Sequence, residues 1–332
     1  MKAAFIRQTG SPDIIEYGDL PTPEPGPTEV LVKVGAVAVN PIDTYIRAGI
    51  AKMAASFPYI IGCDLAGTVE RCGAKVTRCK PGDRVWGSNQ SLFGRRGTFA
   101  EQAVVDEQWL YPTPAGMTDP RAAAGALTGI TAHLGLFQNA GLKSGEVVFV
   151  NGGAGGVGSA VIQLAKAIGA KVIATVGSDE KKKRCESWGA DLVVDYHSTT
   201  MDESIKQYTQ SNGGIHVWFE TQPPTNIDRV VGLMAPRGRV IFMAGRSARP
   251  EFPVGAFYVK DLRLFGFAMF NATPDEQRVC ADAINRLFVQ GHWRPQIGRI
   301  MKLSEAAVAH RLQEDNTLNK QGTLAGKIVL VP

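Results

Sequence analysis

Five glycines lie within nine residues of this sequence, in the run VNGGAGGVG at 150–158. Glycine loses more backbone freedom on folding than any other residue, so the run indicates a place that needs a bare backbone. An apolar stretch precedes it and an amphipathic stretch ending at Gly169 follows, which gives the pattern G-x-G-x-x-G the context of a strand, a turn and a helix. In that context the first glycine makes the tight turn, the second admits a pyrophosphate and the third lets the helix pack on the strand. The pattern predicts a dinucleotide at a helix N-terminus, bound by Gly153, Ala154, Gly155, Gly156, Val157 and Gly158.

The residues after the next strand decide which dinucleotide is favoured. NAD sites usually place Asp or Glu about 20 residues beyond the glycines, to hold the ribose hydroxyls. Here that position reads Val176-Gly177-Ser178, and Asp179 and Glu180 come slightly later, before the basic run 181–184. Cations in the first turns of a helix oppose its dipole unless a ligand supplies negative charge, as the 2′-phosphate of NADPH would. The sequence therefore favours NADPH, and the alternatives are a solvated basic face or NADH with Asp179 as the ribose ligand.

Length, charge and cysteine usage bound the class of protein. The chain has 332 residues, 44% of them apolar and 20% charged, so two globular domains are expected. The net charge of +5 comes from basic residues without an aromatic-interleaved stripe, so we expect no nucleic-acid partner. No apolar run approaches the roughly 20 residues that span a bilayer, and we expect no membrane partner. The N-terminus has no secretory h-region and the five cysteines never form C-x-x-C, which favours a reduced, cytoplasmic protein.

Two patterns of predicted secondary structure divide the chain. Residues 1–110 contain short strand-like segments with Pro and Gly between them, which predicts a barrel-like β domain. From about residue 120 helical and β-rich segments alternate, which is typical of a doubly wound parallel sheet. TPDE at 273–276 predicts a capping box that opens a helix, and the tail TLAGKIVLVP predicts a strand returning to the first domain. We expect one domain from 1–122 with 268–332, and a nucleotide-binding domain over 123–267.

The whole chain resembles the zinc-free quinone oxidoreductases, of zeta-crystallin type, in the medium-chain dehydrogenase/reductase superfamily. The likeness is carried, in order, by NPIDTYIRAG (40–49), GCDLAGTVERCG (62–73), KPGDRVWG (80–87), LTGITAH (127–133), the glycine run and GKIVLVP (326–332). The resemblance implies an α/β fold in which a GroES-like β-barrel domain carries a Rossmann domain. It also implies a homodimer, because the apolar segment RLFGFAMF (263–270) matches the strand that joins two subunits in the family.

The resemblance also assigns site residues position by position. On the nicotinamide side it implies Asn40, Asp43 and Tyr45 as catalytic residues. For the cofactor it implies Thr131, Gly177, Ser178, Lys181, Tyr196, Gly245, Arg246, Phe267 and Lys327. The residues alone leave other interpretations open. Asn40 and Asp43 fit an ordinary helix start, the two tyrosines fit packing positions, and Thr131 fits a helical threonine bonded to its own backbone.

The same superfamily contains zinc alcohol dehydrogenases, and this chain departs from them. Where those enzymes use Cys, His and Cys as catalytic ligands, it has Asn40, Cys63 and a position without a ligand in GALTG, so we expect no metal. A simple ketone or alcohol needs its oxygen charge stabilised, whereas conjugation spreads the charge when a quinone or enone accepts hydride. Relatives often carry a tyrosine where this chain has Ala51, so the proton donor is open.

The sequence therefore predicts an enzyme that transfers hydride from NADPH to quinones or related conjugated carbonyls. Two alternatives stay open: a reductase of the double bond in alkenals, enones or enoyl thioesters, and a protein that binds NADPH with little turnover.

Overall fold

The computed structural model describes residues 1–51, 56–223, 226–319 and 321–332. The strands within them are β1 (Lys2–Ile6), β2 (Glu16–Asp19), β3 (Glu29–Val39), β4 (Tyr59–Ile60), β5 (Leu65–Cys72), β6 (Arg84–Gly87), β7 (Gln102–Asp106), β8 (Leu110–Pro112), β9 (Val147–Asn151), β10 (Lys171–Val176), β11 (Leu192–Asp195), β12 (Ile215–Glu220), β13 (Met234–Phe242), β14 (Arg263–Gly266), β15 (Ile297–Lys302) and β16 (Lys327–Val331). The α-helices are α1 (Pro41–Arg47), α2 (Asp119–His133), α3 (Gly156–Ala167), α4 (Asp179–Ser187), α5 (Met201–Thr209), α6 (Ile227–Leu233), α7 (Val254–Val259), α8 (Pro274–Val289) and α9 (Ala306–Thr317). None of the helices in these ranges is both long and apolar enough to cross a membrane.

The chain divides into two compact units. Unit 1 comprises Met1–Leu127, Ala272–Asn285 and Pro295–Pro332, and unit 2 comprises Thr128–Asn271 and Arg286–Arg294. The limits expected from the sequence, 1–122 with 268–332 for one domain and 123–267 for the other, stay a prediction.

Unit 1 is built around the long strand β3. It belongs to a sheet of order β15-β16-β3-β5-β6-β8, and β7 also pairs with β3. Most neighbours in this sheet are antiparallel, whereas β15 and β16 are parallel. A second sheet of order β2-β1-β4 completes the unit. The predicted terminal strand is confirmed as β16, which pairs with β3 so that Ile328 lies opposite Val39.

Unit 2 is a parallel sheet of order β11-β10-β9-β12-β13-β14. Counted from β9, this is the order 3-2-1-4-5-6 of dinucleotide-binding folds, which bind ligands at the carboxyl ends of the strands. The inner strands are continuously apolar, as expected of a sheet covered on both faces. Phe149 of β9 packs on Trp218 of β12, with ring centroids 3.9 Å apart. The predicted α/β fold, with its β-rich and doubly wound parts, is confirmed.

The end of unit 2 differs from the sequence expectation. A strand was expected over 263–270, but β14 stops at Gly266 and a 3-10 turn follows at Met269–Asn271. The apolar side chains after Gly266 leave the sheet, and Met269 is buried by packing rather than by strand pairing. The predicted capping box is confirmed, because Thr273 N donates to Glu276 Oε2 at 2.7 Å and Glu276 N donates to Thr273 Oγ1 at 3.2 Å.

Candidate active site

The glycine run forms the turn between β9 and α3. Gly152 has a φ of +82°, and its amide donates to Thr175 Oγ1 at 2.9 Å. A Cβ on Gly158 would lie 2.2 Å from Gly152 O, so only glycine allows α3 to pack on the turn. A Cβ on Gly155 would meet Gly152 O at 3.3 Å and no other atom that close, so the backbone there faces open space. The turn and the unpaired amides of the first turn of α3 fit a bound pyrophosphate.

A buried carboxylate supports this turn, and the sequence reasoning missed it. Glu220, at the end of β12, accepts from Asn151 Nδ2 at 2.8 Å and from Trp218 Nε1 at 3.1 Å. Asn151 in turn accepts from Thr175 Oγ1 at 2.6 Å, and that same hydroxyl accepts from the Gly152 amide. Burial raises the pKa of Glu220, whereas these donors lower it. An acidic residue closing the apolar strand IHVWFE was the signal that could have found it.

The residues expected near the 2′-phosphate lie together at the ends of the neighbouring strands β10 and β11. Ser178 is the N-cap of α4 and accepts from Lys181 N at 3.4 Å. A Cβ on Gly177 would lie 2.2 Å from Tyr196 Oη, so Tyr196 packs on bare backbone while half of it stays exposed. Lys181 lies half-buried at the start of the helix, and this burial lowers the pKa of its ammonium group. The ends of β10 and β11 present a hydroxyl, a phenol and an ammonium, and the carboxylates of Asp179 and Glu180 follow in the first turn of α4.

The other predicted cofactor residues of unit 2 are spread over three elements. Thr131 lies on α2, and its buried Oγ1 has no hydrogen-bond partner in the described part of the chain, so the alternative of a bond to its own backbone is wrong. Gly245 follows β13 with a φ of +85°, next to Arg246. Phe267 follows β14 and packs over Gly135, where a Cβ would come within 3.3 Å of its ring. Gly245 and Phe267 thus follow two neighbouring strands at the carboxyl edge of the sheet, where such folds bind ligands.

A buried polar cluster occupies unit 1, and we call it the Asn40 cluster: Asn40, Asp43, Cys63, Asp64, Ser88 and Lys327. Asn40 caps α1, where its backbone N–H donates to Asp43 Oδ2 at 2.7 Å. Its side chain bridges two others, because Nδ2 donates to Asp64 Oδ2 at 2.8 Å and Oδ1 accepts from Lys327 Nζ. Ser88 Oγ donates to the other oxygen of Asp64 at 2.6 Å. Lys327 Nζ also donates to Val39 O, which places this predicted cofactor residue inside the cluster.

The Asn40 cluster holds more acidic than basic groups. Burial, with a smaller contribution from Asp64, raises the pKa of Asp43 to about 7 even though the Cys63 thiol and the Asn40 amide lower it. Burial also raises the pKa of Asp64 and that of Cys63. Burial lowers the pKa of Lys327, although both carboxylates raise it. Asp43 Oδ1 is buried without a hydrogen-bond partner among the described residues, which adds to the cost of a negative charge on this carboxyl group.

Tyr45 lies on α1, the helix that also carries Asp43 of the Asn40 cluster. It is two residues from Asp43 on the same short helix, and residues at that spacing do not face each other. Asp43 is fully buried, whereas Tyr45 is half-buried. Its carbonyl accepts from the amides of Ile50 and Ala51, so the helix ends tightly beside Ala51.

These residues do not fit a catalytic zinc. In the ranges that the structure describes, no three His, Cys, Asp or Glu side chains are grouped to hold a metal ion. Zinc binds cysteine as thiolate, but burial and both neighbouring carboxylates raise the pKa of the Cys63 thiol. The Lys327 ammonium is hydrogen-bonded to Asn40, where it would repel a cation. We derive no step through a metal.

Comparison with protein families gives two matches. Residues 26–115 match the alcohol dehydrogenase GroES-like domain, and residues 156–286 match the family described as zinc-binding dehydrogenase. The second match covers neither Asn40 nor Cys63, so it concerns the nucleotide-binding part of the chain.

Individual relatives cover all or part of the chain. The chain is 32% identical over 332 residues to the quinone oxidoreductase of Sus scrofa, covering 100% of this chain and 98% of the relative. It is 38% identical over 210 residues to a 2-methylene-furan-3-one reductase of Solanum lycopersicum, covering 61% of this chain and 54% of the relative.

Solved structures share the fold over the whole chain. An NAD-dependent alcohol dehydrogenase has a TM-score of 0.88 at 30% identity, covering all of both chains. The quinone oxidoreductase of Escherichia coli, solved in complex with NADPH, has a TM-score of 0.87 at 25% identity, also covering all of both chains.

Proposed function

This chain belongs to the quinone oxidoreductase family of the medium-chain dehydrogenases/reductases, and on that premise we propose that it transfers hydride from NADPH to quinones or related conjugated carbonyls without a metal. The observation that carries the proposal is the edge of the unit 2 sheet. There a glycine turn built for a pyrophosphate lies beside strand ends that offer Ser178, Lys181 and Tyr196, and the end of β10, Val176-Gly177-Ser178, contains no Asp or Glu. That chemistry suits a 2′-phosphorylated dinucleotide.

The chain's own residues bind and orient rather than form covalent bonds. NADPH, when bound, supplies the hydride, and a conjugated acceptor spreads the arriving charge over its ring. Positioning can then provide much of the acceleration. We assign Asn40, Asp43 and Tyr45 to the nicotinamide side on the family resemblance, and Gly245, Arg246, Phe267, Thr131 and Lys327 to the cofactor. This assignment stays a prediction. So does a cytoplasmic location, which the cysteine spacing of the sequence supports.

Turnover with a panel of acceptors tests the proposal. Purified protein is mixed with NADPH and 1,4-benzoquinone, 9,10-phenanthrenequinone, crotonyl-CoA or a 2-alkenal, and the loss of NADPH absorbance is followed. We expect quinone-dependent oxidation that survives exhaustive treatment with EDTA or phenanthroline. Loss of turnover on chelation, with recovery on adding zinc, would contradict the metal-free assignment. Tight NADPH binding without oxidation by any acceptor would favour a binding protein instead.

Reduction of an activated double bond is the second candidate function. The Solanum lycopersicum relative named above is a reductase of a conjugated methylene ketone, and its likeness covers 61% of this chain. The same fold and cofactor serve both reactions, and Ala51 leaves room where relatives carry a tyrosine. Faster NADPH oxidation with crotonyl-CoA or the 2-alkenal than with either quinone would assign the chain to this reaction.

We also propose a homodimer formed through the open edge of the unit 2 sheet. Within the described residues β14 pairs only with β13, and α7 beside it has no buried residue. Val254, Tyr258 and Val259 of α7 are 64%, 67% and 73% exposed, and Leu264 of β14 is 43% exposed. An apolar helix next to an unpaired strand edge is a surface that a second copy of the chain can cover.

A further inference from the structure

Two cysteine side chains lie against each other in unit 1, outside the candidate active site. Cys72 is the last residue of β5, and Cys79 lies in the connection to β6. The Cys72 thiol donates to Cys79 O with a sulfur-to-oxygen distance of 3.6 Å, and burial together with the neighbouring Cys72 thiol raises the pKa of Cys79. Both residues are partly exposed, so small solutes reach them.

The connection between β5 and β6 is fixed in place over this pair. Glu107 accepts from the amides of Thr77 and Arg78 at 2.9 and 2.7 Å. The amide of Lys75 donates to Pro27 O at 2.8 Å. These bonds on both sides of the connection hold Cys79 beside the end of β5, where the Cys72 sulfur contacts its carbonyl oxygen.

We propose that Cys72 and Cys79 form an oxidation site at which hydrogen peroxide closes a disulfide. One oxygen of the peroxide is transferred to the Cys72 sulfur, the O–O bond breaks, and the other oxygen leaves as water. This gives a sulfenic acid on Cys72. The Cys79 sulfur then displaces that hydroxyl group as a second water, and the S–S bond forms. Both S–H bonds break, the two sulfurs together lose two electrons, and the peroxide gains them.

The surroundings assign the order of attack. Burial and the adjacent Cys72 thiol raise the pKa of Cys79 to about 12, so Cys79 is the poorer nucleophile toward dissolved peroxide. In the second step the sulfenic acid is held beside it, and this proximity lets Cys79 attack as its proton leaves with the departing hydroxyl group as water. Cys72, whose sulfur lies at the strand end, makes the first attack. The remaining cysteines, Cys63, Cys185 and Cys280, are buried, so the peroxide meets the Cys72–Cys79 pair first.

The oxidation site is separate from the Asn40 cluster. Cys63 and Asp64 precede the first residue of β5 and Cys72 ends it, so the strand separates them by roughly 25 Å at about 3.3 Å per residue. Turnover is therefore not the measure of this chemistry. Only the source of peroxide rests on the proposed function, because hydroquinones reduce dioxygen to hydrogen peroxide.

Mass spectrometry of thiol states tests the proposal without any assay of activity. Reduced full-length protein is treated with hydrogen peroxide in the presence of dimedone, which traps sulfenic acids, and then digested without reductant. We expect the wild type to lose two hydrogen atoms and yield one peptide pair joined through Cys72 and Cys79. Cys79→Ser is expected to carry dimedone on Cys72 instead, and Cys72→Ser to carry neither the bond nor the label on Cys79. Cys280→Ala is the matched control and is expected to behave as the wild type.

A second probe checks the geometry independently of oxidation. Phenylarsine oxide bridges two neighbouring thiols with loss of water, so we expect one arsenical on the wild type and none on either single serine variant. Dimedone on Cys72 of the wild type to the same extent as on Cys79→Ser, a disulfide between two chains, or binding of the arsenical by Cys79→Ser would each overturn the proposal.

Discussion

The Lys327 ammonium is buried with the carboxyl groups of Asp43 and Asp64, and this imbalance governs the chemistry of the Asn40 cluster. Four hydrogen bonds within the cluster involve Asn40 or Asp64, whereas Asp43 has one oxygen without a partner in the described ranges. Burying a second unpaired negative charge is costly, so the cluster favours a protonated Asp43. Asn40 is thereby held at both ends of its amide, by Lys327 and by Asp64, whatever the state of Asp43.

The first prediction concerns the pH dependence of stability. The pKa of Asp43 is raised from 3.8 to about 7 in the folded chain, so below pH 3.8 both states keep the proton, and between those values only the folded state does. Its contribution to stability is therefore lost as the pH rises towards 7. Relative to the wild type, the unfolding free energy of Asp43→Asn should increase by about 1.4 kcal/mol per pH unit across this window.

Urea unfolding of both proteins at several pH values from 4.5 to 8 measures the difference. The groups facing Asp43 are Asp64, Cys63 and Lys327, and all three are unchanged in the variant. The exposed Asp282→Asn is the control and should follow the wild type. Parallel curves for Asp43→Asn and wild type would show that Asp43 is already charged at the acid end.

The second prediction concerns the choice of cofactor. Lys181→Ala should weaken NADPH binding and leave NADH almost unchanged, because only NADPH brings the 2′-phosphate. A charge-assisted hydrogen bond is worth roughly 1.5–3 kcal/mol, which is about ten- to over a hundredfold in affinity. Ser178→Asp should discriminate further, since Asp also caps a helix but repels the phosphate and accepts from ribose hydroxyls. Quenching of tryptophan fluorescence measures both cofactors.

The control for this pair is the exposed Lys183→Ala, two residues further along α4. It should bind both cofactors as the wild type does. A wild type that prefers NADH, or equal weakening of both cofactors by Lys181→Ala, would refute the NADPH assignment and point to Asp179 as the ribose ligand.

At the scale of elements, the β9–α3 turn uses one glycine to pack the helix and another to admit the pyrophosphate. The third prediction is that Gly158→Ala lowers both the melting temperature and NADPH affinity, because its Cβ would lie 2.2 Å from Gly152 O. Gly155→Ala should keep the melting temperature, since its Cβ meets that oxygen only at 3.3 Å, but should lose NADPH affinity by filling the space of the pyrophosphate. Thermal melts and cofactor titrations on both variants measure this. Unchanged cofactor affinity in Gly155→Ala would mean that no phosphate approaches there.

Elements with a local cause were predictable from the sequence. The β9–α3 turn follows from its glycines, and the start of α8 follows from Thr273 and Glu276, which lie within one helical turn. The end of β14 was not predictable, because an apolar run reads the same whether it pairs in a sheet or packs as a loop. Phe267 leaves the sheet to pack over Gly135, a contact between distant parts of the chain.

The candidate site shows the same limit at the scale of the whole molecule. Asn40, Asp43 and the glycines are found from short motifs, but Lys327 bonds to a residue 287 positions away, and only the pairing of β16 with β3 brings them together. Glu220 likewise reaches Asn151 across 69 positions through the pairing of β12 with β9. Residues that act through a neighbouring strand leave no pattern in their own stretch of sequence, so strand order had to be known first.

The last prediction concerns assembly. Two copies related by a two-fold axis can pair their β14 edges, which would join two six-stranded sheets and cover α7 of each copy. Acidic side chains in that surface would be desolvated and could not pair with each other, so Val259→Asp combined with Leu264→Glu should give a monomer at micromolar concentration, whereas the wild type should sediment at twice the 35.6 kDa of one chain. Val279→Asp, at an equally apolar and 56% exposed position of α8, is the control and should stay dimeric.

Sedimentation velocity distinguishes these masses. A monomeric wild type, or a control that dissociates as the double variant does, would remove β14 and α7 from the interface.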